Sequence, residues 1–220
     1  MTVSQQEVTI IIPEEQIKDM VYRLDGPLRW ATRENLEIVR KSGTKAGDKV
    51  LDVGSGTGYL TIPLVNIVKP DGCVYCVDEM PQLQEIILKK ASKLGLEQYV
   101  KMVSAKAFSI PFPDNYFDVV VSSYLLHEIP VNCVDVLKEM YRVLKPSGKL
   151  AIADFRRIED DERREYIENW YRSQNVNEEE EELHLRYSLK DLESMMLQAG
   201  FKYVDVSTWM EYHMHGAAIK

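Results

Sequence analysis

Three cysteines, at positions 73, 76 and 133, are too few and too oddly numbered for a disulfide scaffold. The longest apolar runs fall far short of the roughly 20 residues that a membrane-spanning helix needs. Basic residues are in the minority: 27 Lys+Arg against 35 Asp+Glu leave a formal net charge of -8, which offers nucleic acid no electrostatic invitation. The opening MTVSQQEV has no basic stretch leading into an apolar one, so no signal peptide is expected. Internal repeats and long low-complexity linkers are also lacking. These shortages exclude collagen, coiled coil, a disordered chain, a secreted mini-protein and an integral membrane protein. They lead us to expect a cytoplasmic protein. What is present is ordinary for a globular domain: 45% hydrophobic and 28% charged residues in a chain of 220. A chain of this length can bury a core without metal or disulfide support.

The apolar pattern sets the organisation. Pro13, Glu14 and Glu15 form a helix start, followed by Ile17, Met20, Val21 and Leu24 at helical spacing. Asp25-Gly26-Pro27 breaks that helix, and a second is expected over residues 33–41. Residues 1–45 therefore read as an N-terminal helical cap, and residues 46–220 as the main domain. Within the latter, apolar runs at 50–53, 73–77, 99–103, 117–122 and 149–153 alternate with helical stretches at 59–68, 81–94 and 133–144. Lys145-Pro146-Ser147-Gly148 reads as a turn closing the last of these helices. A charged helical insertion occupies about 156–190, with Glu159–Arg163 and Asp160–Arg164 spaced as helix pairs and an acidic run at 178–182. A helix at 189–199 stops at Gly200, and two strands at 201–208 and 210–219 finish the chain. Contiguous apolar strands alternating with helices predict an α/β fold: a doubly wound, Rossmann-like sheet. It would be mostly parallel, with an antiparallel C-terminal strand and helices on both faces. Ligands of such a sheet sit at the carboxyl ends of its strands.

The main chemical signal is Val50-Leu51-Asp52-Val53-Gly54-Ser55-Gly56-Thr57-Gly58. Glycines allow a sharp strand-to-helix turn and let a ligand approach the backbone closely, and the helix start beyond offers N–H groups. Asp78 ends the next strand, where a carboxylate can accept both hydroxyls of a ribose. Dinucleotide loops read G-x-G-x-x-G. Here the spacing is G-x-G-x-G, so the third glycine departs from that fingerprint.

Residues 51–58 resemble motif I of class I S-adenosylmethionine-dependent methyltransferases. The resemblance continues through Val77-Asp78-Glu79-Met80, through the Pro-Phe-Pro-Asp-Asn stretch at 111–115 with Tyr116-Phe117-Asp118, and through Leu144-Lys145-Pro146-Ser147-Gly148. It covers roughly residues 44–155 and is closest to the branch of quinone-biosynthesis and other small-molecule methyltransferases. It implies S-adenosylmethionine as cofactor, with S-adenosylhomocysteine as product. It implies that Gly54, Ser55, Gly56 and Gly58 line the methionine end, with Asp52 under the amino group. Asp78 would hold the ribose, Glu79 and Met80 would flank the adenine, and Ser123 would lie near the sulfonium. At the position where the family places an acid for the adenine amino group, this chain has Lys106, which cannot accept a hydrogen bond. Backbone groups of Ala107 and Phe108 would read the base instead, or Ser104 through a shifted loop.

Methyl transfer is an in-line displacement that proximity in a dry cleft can accelerate, so no catalytic residue is dictated. His127-Glu128, shortly after the fourth strand, can serve as base and orienting acid. Asp154, at the end of the fifth strand, can bind a substrate hydroxyl or amine. Arg29-Trp30, Tyr22 and Tyr124 are candidate neighbours of the sulfonium, where an aromatic ring adds a cation–π attraction. Cys73 and Cys76 are three apart in a strand and so face opposite ways. His213 and His215 share a face but lack a third ligand, so no metal is expected. The Asn/Asp-Pro-Pro-Tyr/Phe stretch of amino-methylating relatives is replaced by Ser122-Ser123-Tyr124-Leu125. The expected activity is methyl transfer to a small molecule, with carbon or oxygen nucleophiles favoured. A non-catalytic cofactor-binding partner protein and a nicotinamide-dependent oxidoreductase are the alternatives.

Overall fold

A computed structural model describes residues 13–129, 133–173 and 187–220. The acidic run at 178–182 and the middle of the charged insertion lie outside them. Three helices open the described chain: α1 (Glu14–Asp25), α2 (Pro27–Ala31) and α3 (Glu34–Ser42). There follow β1 (Lys49–Val53), α4 (Thr61–Val68), β2 (Cys73–Asp78), α5 (Pro81–Lys93), β3 (Val100–Ser104) and β4 (Phe117–Ser123). The chain continues with α6 (Cys133–Val143), β5 (Leu144–Phe155), α7 (Asp161–Ser173), α8 (Leu189–Gln198), β6 (Lys202–Trp209) and β7 (His213–Ile219). The strand order is β3-β2-β1-β4-β5-β7-β6. Strands β1 to β5 pair in parallel, while β7 runs antiparallel to both β5 and β6. The predicted doubly wound sheet is therefore the observed one.

Both faces of the sheet are covered, which is why its strands are apolar without alternation. Leu51, Val53, Val120, Leu150 and Ile152 pack with Leu137 and Met140 of α6 and Leu192 and Met196 of α8. Val50, Val74, Cys76, Val119 and Val121 point the other way, onto Ile38 of α3, Leu64 of α4 and Ile87 of α5. Each such fully buried side chain contributes about 1.5–3 kcal/mol relative to exposure. Helix α8 begins with a reciprocal cap: Ser188 Oγ accepts from Asp191 N–H, and Asp191 accepts from Ser188 N–H. Among the described residues no helix is long and apolar enough to cross a membrane.

Two local expectations are corrected. Residues 145–148 do not form a separate turn. Strand β5 starts at Leu144 opposite Phe117, bulges, and resumes with Lys149 opposite Val119. Ser147 absorbs the excursion at φ 63°. In α7 the expected Glu159–Arg163 and Asp160–Arg164 pairs give way to others. Arg163 pairs with Glu211 beyond β6, and Arg164 pairs with Asp161 and Glu168. Asp160 instead accepts from the Arg163 backbone N–H, an N-terminal cap in place of an ion pair.

Candidate functional site

The carboxyl ends of β1, β2, β4 and β5 lie along one edge, and the sheet order reverses between β1 and β4. This is the crevice position where open α/β sheets take ligands. The antiparallel β7 brings its first residue to the same edge, with His213 opposite Phe155.

The glycine loop leaves β1 here. Gly54 and Ser55 donate their N–H groups to the Val77 carbonyl at 2.8 and 3.1 Å, and Gly58 N–H bonds back to Ser55. Gly54 has φ 69°, and a Cβ there would stand 3.0 Å from Leu125 Cδ1; at Gly58, with φ 88°, one would stand 3.2 Å from Ile87. Only glycine meets both demands without strain. Asp78 is tied into the loop: it accepts from Gly56 N–H at 2.8 Å and from Met80 N–H at 2.9 Å. Burial raises its carboxyl pKa, and those two N–H groups partly restore the charged form. Each oxygen keeps lone-pair capacity for a further donor.

Asp52 is buried below the loop, its Oδ2 accepting from the Thr61 hydroxyl at 2.6 Å. Burial pushes its carboxyl up to about 7, against the Thr61 bond that favours the charge. Ser55 Oγ, Thr57 Oγ1 and Arg29 Nε are buried with no hydrogen-bond partner among the described residues. Such orphaned groups call for a polar ligand. Glu79 is exposed, and Met80 stands at the start of α5. Lys106 is exposed with its ammonium 5.6 Å from the Phe108 ring, Ala107 is half-buried, and Phe108 is exposed. Ser123 ends β4 and lies 3.5 Å from Arg29 Nη2.

The opening helices reach this loop. Lys90 of α5 donates to the Thr57 carbonyl at 2.7 Å and pairs with Asp25 of α1 at 2.5 Å. Asp25 also accepts from Trp30 Nε1 at 2.8 Å. The Arg29 guanidinium lies over the rings of both Tyr59 and Tyr124, at 4.1 and 4.6 Å from their centroids. Sequence reasoning placed Arg29 near the site but gave it no ligand. Of the other candidate neighbours of the sulfonium, Tyr22 is exposed and the Tyr124 ring carries Arg29.

The catalytic expectation changes in its details. His127 is buried in a single helical turn after β4, and its Nδ1 lies 2.6 Å from Asp154 Oδ1. Asp154, expected to face a substrate, is fully buried. Its oxygens accept from the backbone N–H groups of Leu126 and Phe155 as well. Asp154 is thus the residue that orients His127. Glu128, expected in that role, is exposed, with an oxygen 3.8 Å from His127 Nε2, beyond hydrogen-bond length. Burial alone would lower the His127 pKa; the Asp154 charge and hydrogen bond outweigh it and raise the pKa. Cys76 and Cys133 are buried, and the Cys133 thiol lies 3.2 Å from the Leu126 carbonyl and 3.1 Å from the Tyr187 hydroxyl. Among the described residues no cluster of His, Cys, Asp or Glu is arranged to hold a metal. Instead, His213 and His215 converge on Glu34.

Comparison with known proteins agrees with this fold. A "SAM dependent methyltransferase from Aquifex aeolicus" superposes with a TM-score of 0.73 at 28% identity, covering 95% of this chain and 99% of that one. A Haemonchus contortus phosphoethanolamine N-methyltransferase 2 in complex with S-adenosyl-L-methionine shares the fold at 18% identity. Its TM-score is 0.66, over 86% of this chain and 52% of that one. The Pseudomonas savastanoi pv. phaseolicola "Ubiquinone/menaquinone biosynthesis C-methyltransferase UbiE" is 37% identical over 117 residues, 53% of this chain and 45% of that protein. A Geobacillus sp. "Demethylmenaquinone methyltransferase" is 39% identical over 123 residues, 56% of this chain and 50% of that protein. The chain thus spans about half the length of these curated relatives. The family model of the ubiE/COQ5 methyltransferases matches residues 29–219. The resemblance read at the glycine loop is therefore borne out: this chain belongs to the ubiE/COQ5 methyltransferase family.

Proposed function

We propose that this protein transfers a methyl group from S-adenosylmethionine to a nucleophilic carbon or oxygen of a small molecule. The observation that carries the reading is a juxtaposition on one sheet edge. An anchored glycine loop with orphaned Ser55 and Arg29 groups stands beside the carboxylate of Asp78, and an Asp154-held histidine follows β4. When bound, S-adenosylmethionine supplies a methyl group on a positively charged sulfur.

The residues fit such a donor. Gly54, Ser55, Gly56 and Gly58 would line its amino-acid end, with Asp52 beneath, and Arg29 would pair with its carboxylate. Asp78 would accept the ribose hydroxyls. Glu79, Met80 and the backbone of Ala107 and Phe108 would surround the base, and Ser123 would lie towards the sulfur. Nδ1–H of His127 donates to Asp154, which fixes the tautomer with Nε2 as the proton-accepting nitrogen. His127 would take the acceptor's proton on Nε2 as the nucleophile forms, and the Asp154 carboxylate would stabilise the resulting imidazolium. Glu128 would add negative charge at the rim.

The C-methyltransferase name of one relative favours carbon over oxygen as the nucleophile. The opening helices and the segment at 156–190 would cover the acceptor. A cytoplasmic location is supported by the cysteine count of three, too sparse for a disulfide scaffold. The net charge of -8 supports a small-molecule rather than a nucleic-acid acceptor.

Thermal unfolding tests the cofactor, with S-adenosylmethionine, S-adenosylhomocysteine, NAD and NADP added separately. A ligand at about 100 times its dissociation constant adds roughly 2.7 kcal/mol, a rise of about 5–10 °C for a chain of this size. A rise with the two sulfur nucleosides alone is expected; a rise with NAD or NADP alone overturns the reading. Transfer of label from methyl-labelled donor to a panel of hydroquinones and phenols then tests the acceptor. Binding without turnover on the panel would favour the partner-protein alternative.

A further inference from the structure

Glu34, at the start of α3, is 1% exposed, yet both its carboxylate oxygens are engaged. His215 Nε2 lies 2.9 Å from Oε1, and His213 Nδ1 lies 3.3 Å from the same oxygen. The Tyr124 hydroxyl donates to Oε2 and stands 2.9 Å from His213 Nδ1. The phenol proton goes to Glu34, His215 Nε2–H goes to Glu34, and His213 Nδ1 lies within reach of both the phenol oxygen and Glu34 Oε1. Trp209 stacks on His215 from outside, ring centroids 5.0 Å apart. The cluster surrounds the buried Glu34 carboxylate and joins α3, β7 and the residue after β4.

Tyr124 is where this cluster meets the cofactor site. It has φ 57°, a left-handed conformation that a bulky side chain keeps only when its surroundings hold it there. One end of its side chain is bonded to Glu34 and His213. The face of its ring carries the Arg29 guanidinium, while Glu34 holds the hydroxyl at the end of the same ring. The guanidinium also lies over the Tyr59 ring. Arg29 itself has few polar partners: Nη1 donates to the Leu24 carbonyl at 3.1 Å, Nη2 lies 3.5 Å from Ser123, and Nε is unpartnered.

We infer that Glu34, His213 and Tyr124 are positioning residues for Arg29. They form a buried hydrogen-bonded cluster that fixes the Tyr124 ring as the platform on which the guanidinium is held for the carboxylate of the methyl donor. The last clause rests on the function proposed above. The platform itself rests only on the geometry of this chain. Arg29 alone is a flexible side chain, and a guanidinium held in place loses less freedom on binding an anion.

A double-mutant cycle tests the inference, pairing Tyr124→Phe with Arg29→Gln. Unfolding in urea is measured without ligand, and the dissociation constant of S-adenosylhomocysteine is measured by calorimetry. Tyr124→Phe keeps the ring and removes only the bonds to Glu34 and His213. It is expected to weaken nucleoside binding about tenfold, and to weaken it little further when Arg29 is already Gln. His213→Asn, which can place a polar atom near the lost Nδ1, is expected to retain most of the affinity that His213→Ala loses. The two mutations are also expected to be non-additive in unfolding. Should Arg29→Gln not fold, Arg29→Lys serves in the same cycle.

If Tyr124→Phe lowers stability and leaves the dissociation constant unchanged, the cluster only staples α3 to β7 and the inference fails. Equal weakening with and without the Arg29 side chain also overturns it. If the wild type binds no S-adenosylhomocysteine, coupling in the unfolding cycle still supports the platform and only the donor assignment falls. Additive unfolding energies overturn the platform whether or not the nucleoside binds.

Discussion

Asp154 Oδ1 lies 2.6 Å from His127 Nδ1, although 27 positions separate the two residues along the chain. The parallel pairing of β4 with β5 brings Ser123 level with Ala153, so the last residues of β5 meet the segment that follows β4. The carboxylate sets the tautomer and raises the histidine pKa, and this has a kinetic consequence. A general base must be unprotonated, so activity should rise with pH through an apparent pKa above the ordinary histidine value of 6.5. Asp154→Asn should move that inflection to lower pH. His127→Asn should abolish it and cost about 10²–10⁴-fold in kcat. The pH profile of kcat/KM for the three proteins is the check, and an unchanged acid limb in His127→Asn would remove the histidine from the chemistry.

Asp78→Ala should weaken S-adenosylhomocysteine binding by more than the loss of a ribose contact alone. The mutation also strips Gly56 and Met80 of the acceptor for their N–H groups. Hydrogen bonds to a charged group contribute about 1.5–3 kcal/mol each, so a loss of at least 10-fold in affinity is expected. Asp78→Asn, which keeps one acceptor oxygen, should lose less. Calorimetric titration of both variants decides the order.

Lys90 joins the glycine loop to the opening helices through Thr57 and Asp25. Lys90→Met keeps most of the stem and removes the charge. It should cost about 1 kcal/mol of global stability, in the range of a partly buried ion pair. The local effect should be larger. Amide exchange in α1 and α2 is expected to accelerate while exchange in β1 and β4 stays as in the wild type. Uniform acceleration over the whole chain would show that Lys90 has no special hold on those helices.

Glu34 governs acid stability. Burial opposes its charge, but the hydrogen bonds from His213 and His215 outweigh burial and hold its carboxyl at about 2, below the ordinary 4.5. An acid depressed on folding stabilises the native state above its unfolded pKa and loses that contribution as pH falls through the folded one. The contribution is on the order of 3 kcal/mol above pH 4.5, and it should fade between about pH 4.5 and pH 2. Urea unfolding of wild type and Glu34→Gln across this window should show the stability gap closing as pH falls. A gap that stays constant would mean that the carboxylate charge is not what the histidines stabilise.

Gly54→Ala should destabilise the chain by about 1–2 kcal/mol from the left-handed backbone alone, with the Leu125 contact adding to it. Thermal unfolding measures the total. Gly95→Ala is the control, because its φ of 65° is similar and no atom crowds its Cβ position.

Much of this protein was legible from contiguous residues. The apolar runs at 50–53, 73–77 and 117–122 located strands because both faces of the sheet are buried, and a buried strand needs no alternation. The loop at 54–58 announced itself because positive φ and close packing against Leu125 and Ile87 exclude larger side chains, so the requirement is written in the local sequence. Other relationships could not be read in this way. Asp154 was expected to face a substrate and Glu128 to steady the histidine, but it is Asp154 that bonds His127. The choice depends on the β4–β5 register, which a pattern of valines does not specify. His213 and His215 were seen to share a strand face, but not that Glu34, 181 positions from His215, fills the space before them. Hydrophobic periodicity reports which face of an element is buried, and glycine reports backbone conformation; both are local properties. Which carboxylate meets which imidazole is decided when the antiparallel β7 closes onto β5 and the opening helices settle against the same edge, because only the packed sheet brings those distant groups within hydrogen-bond reach.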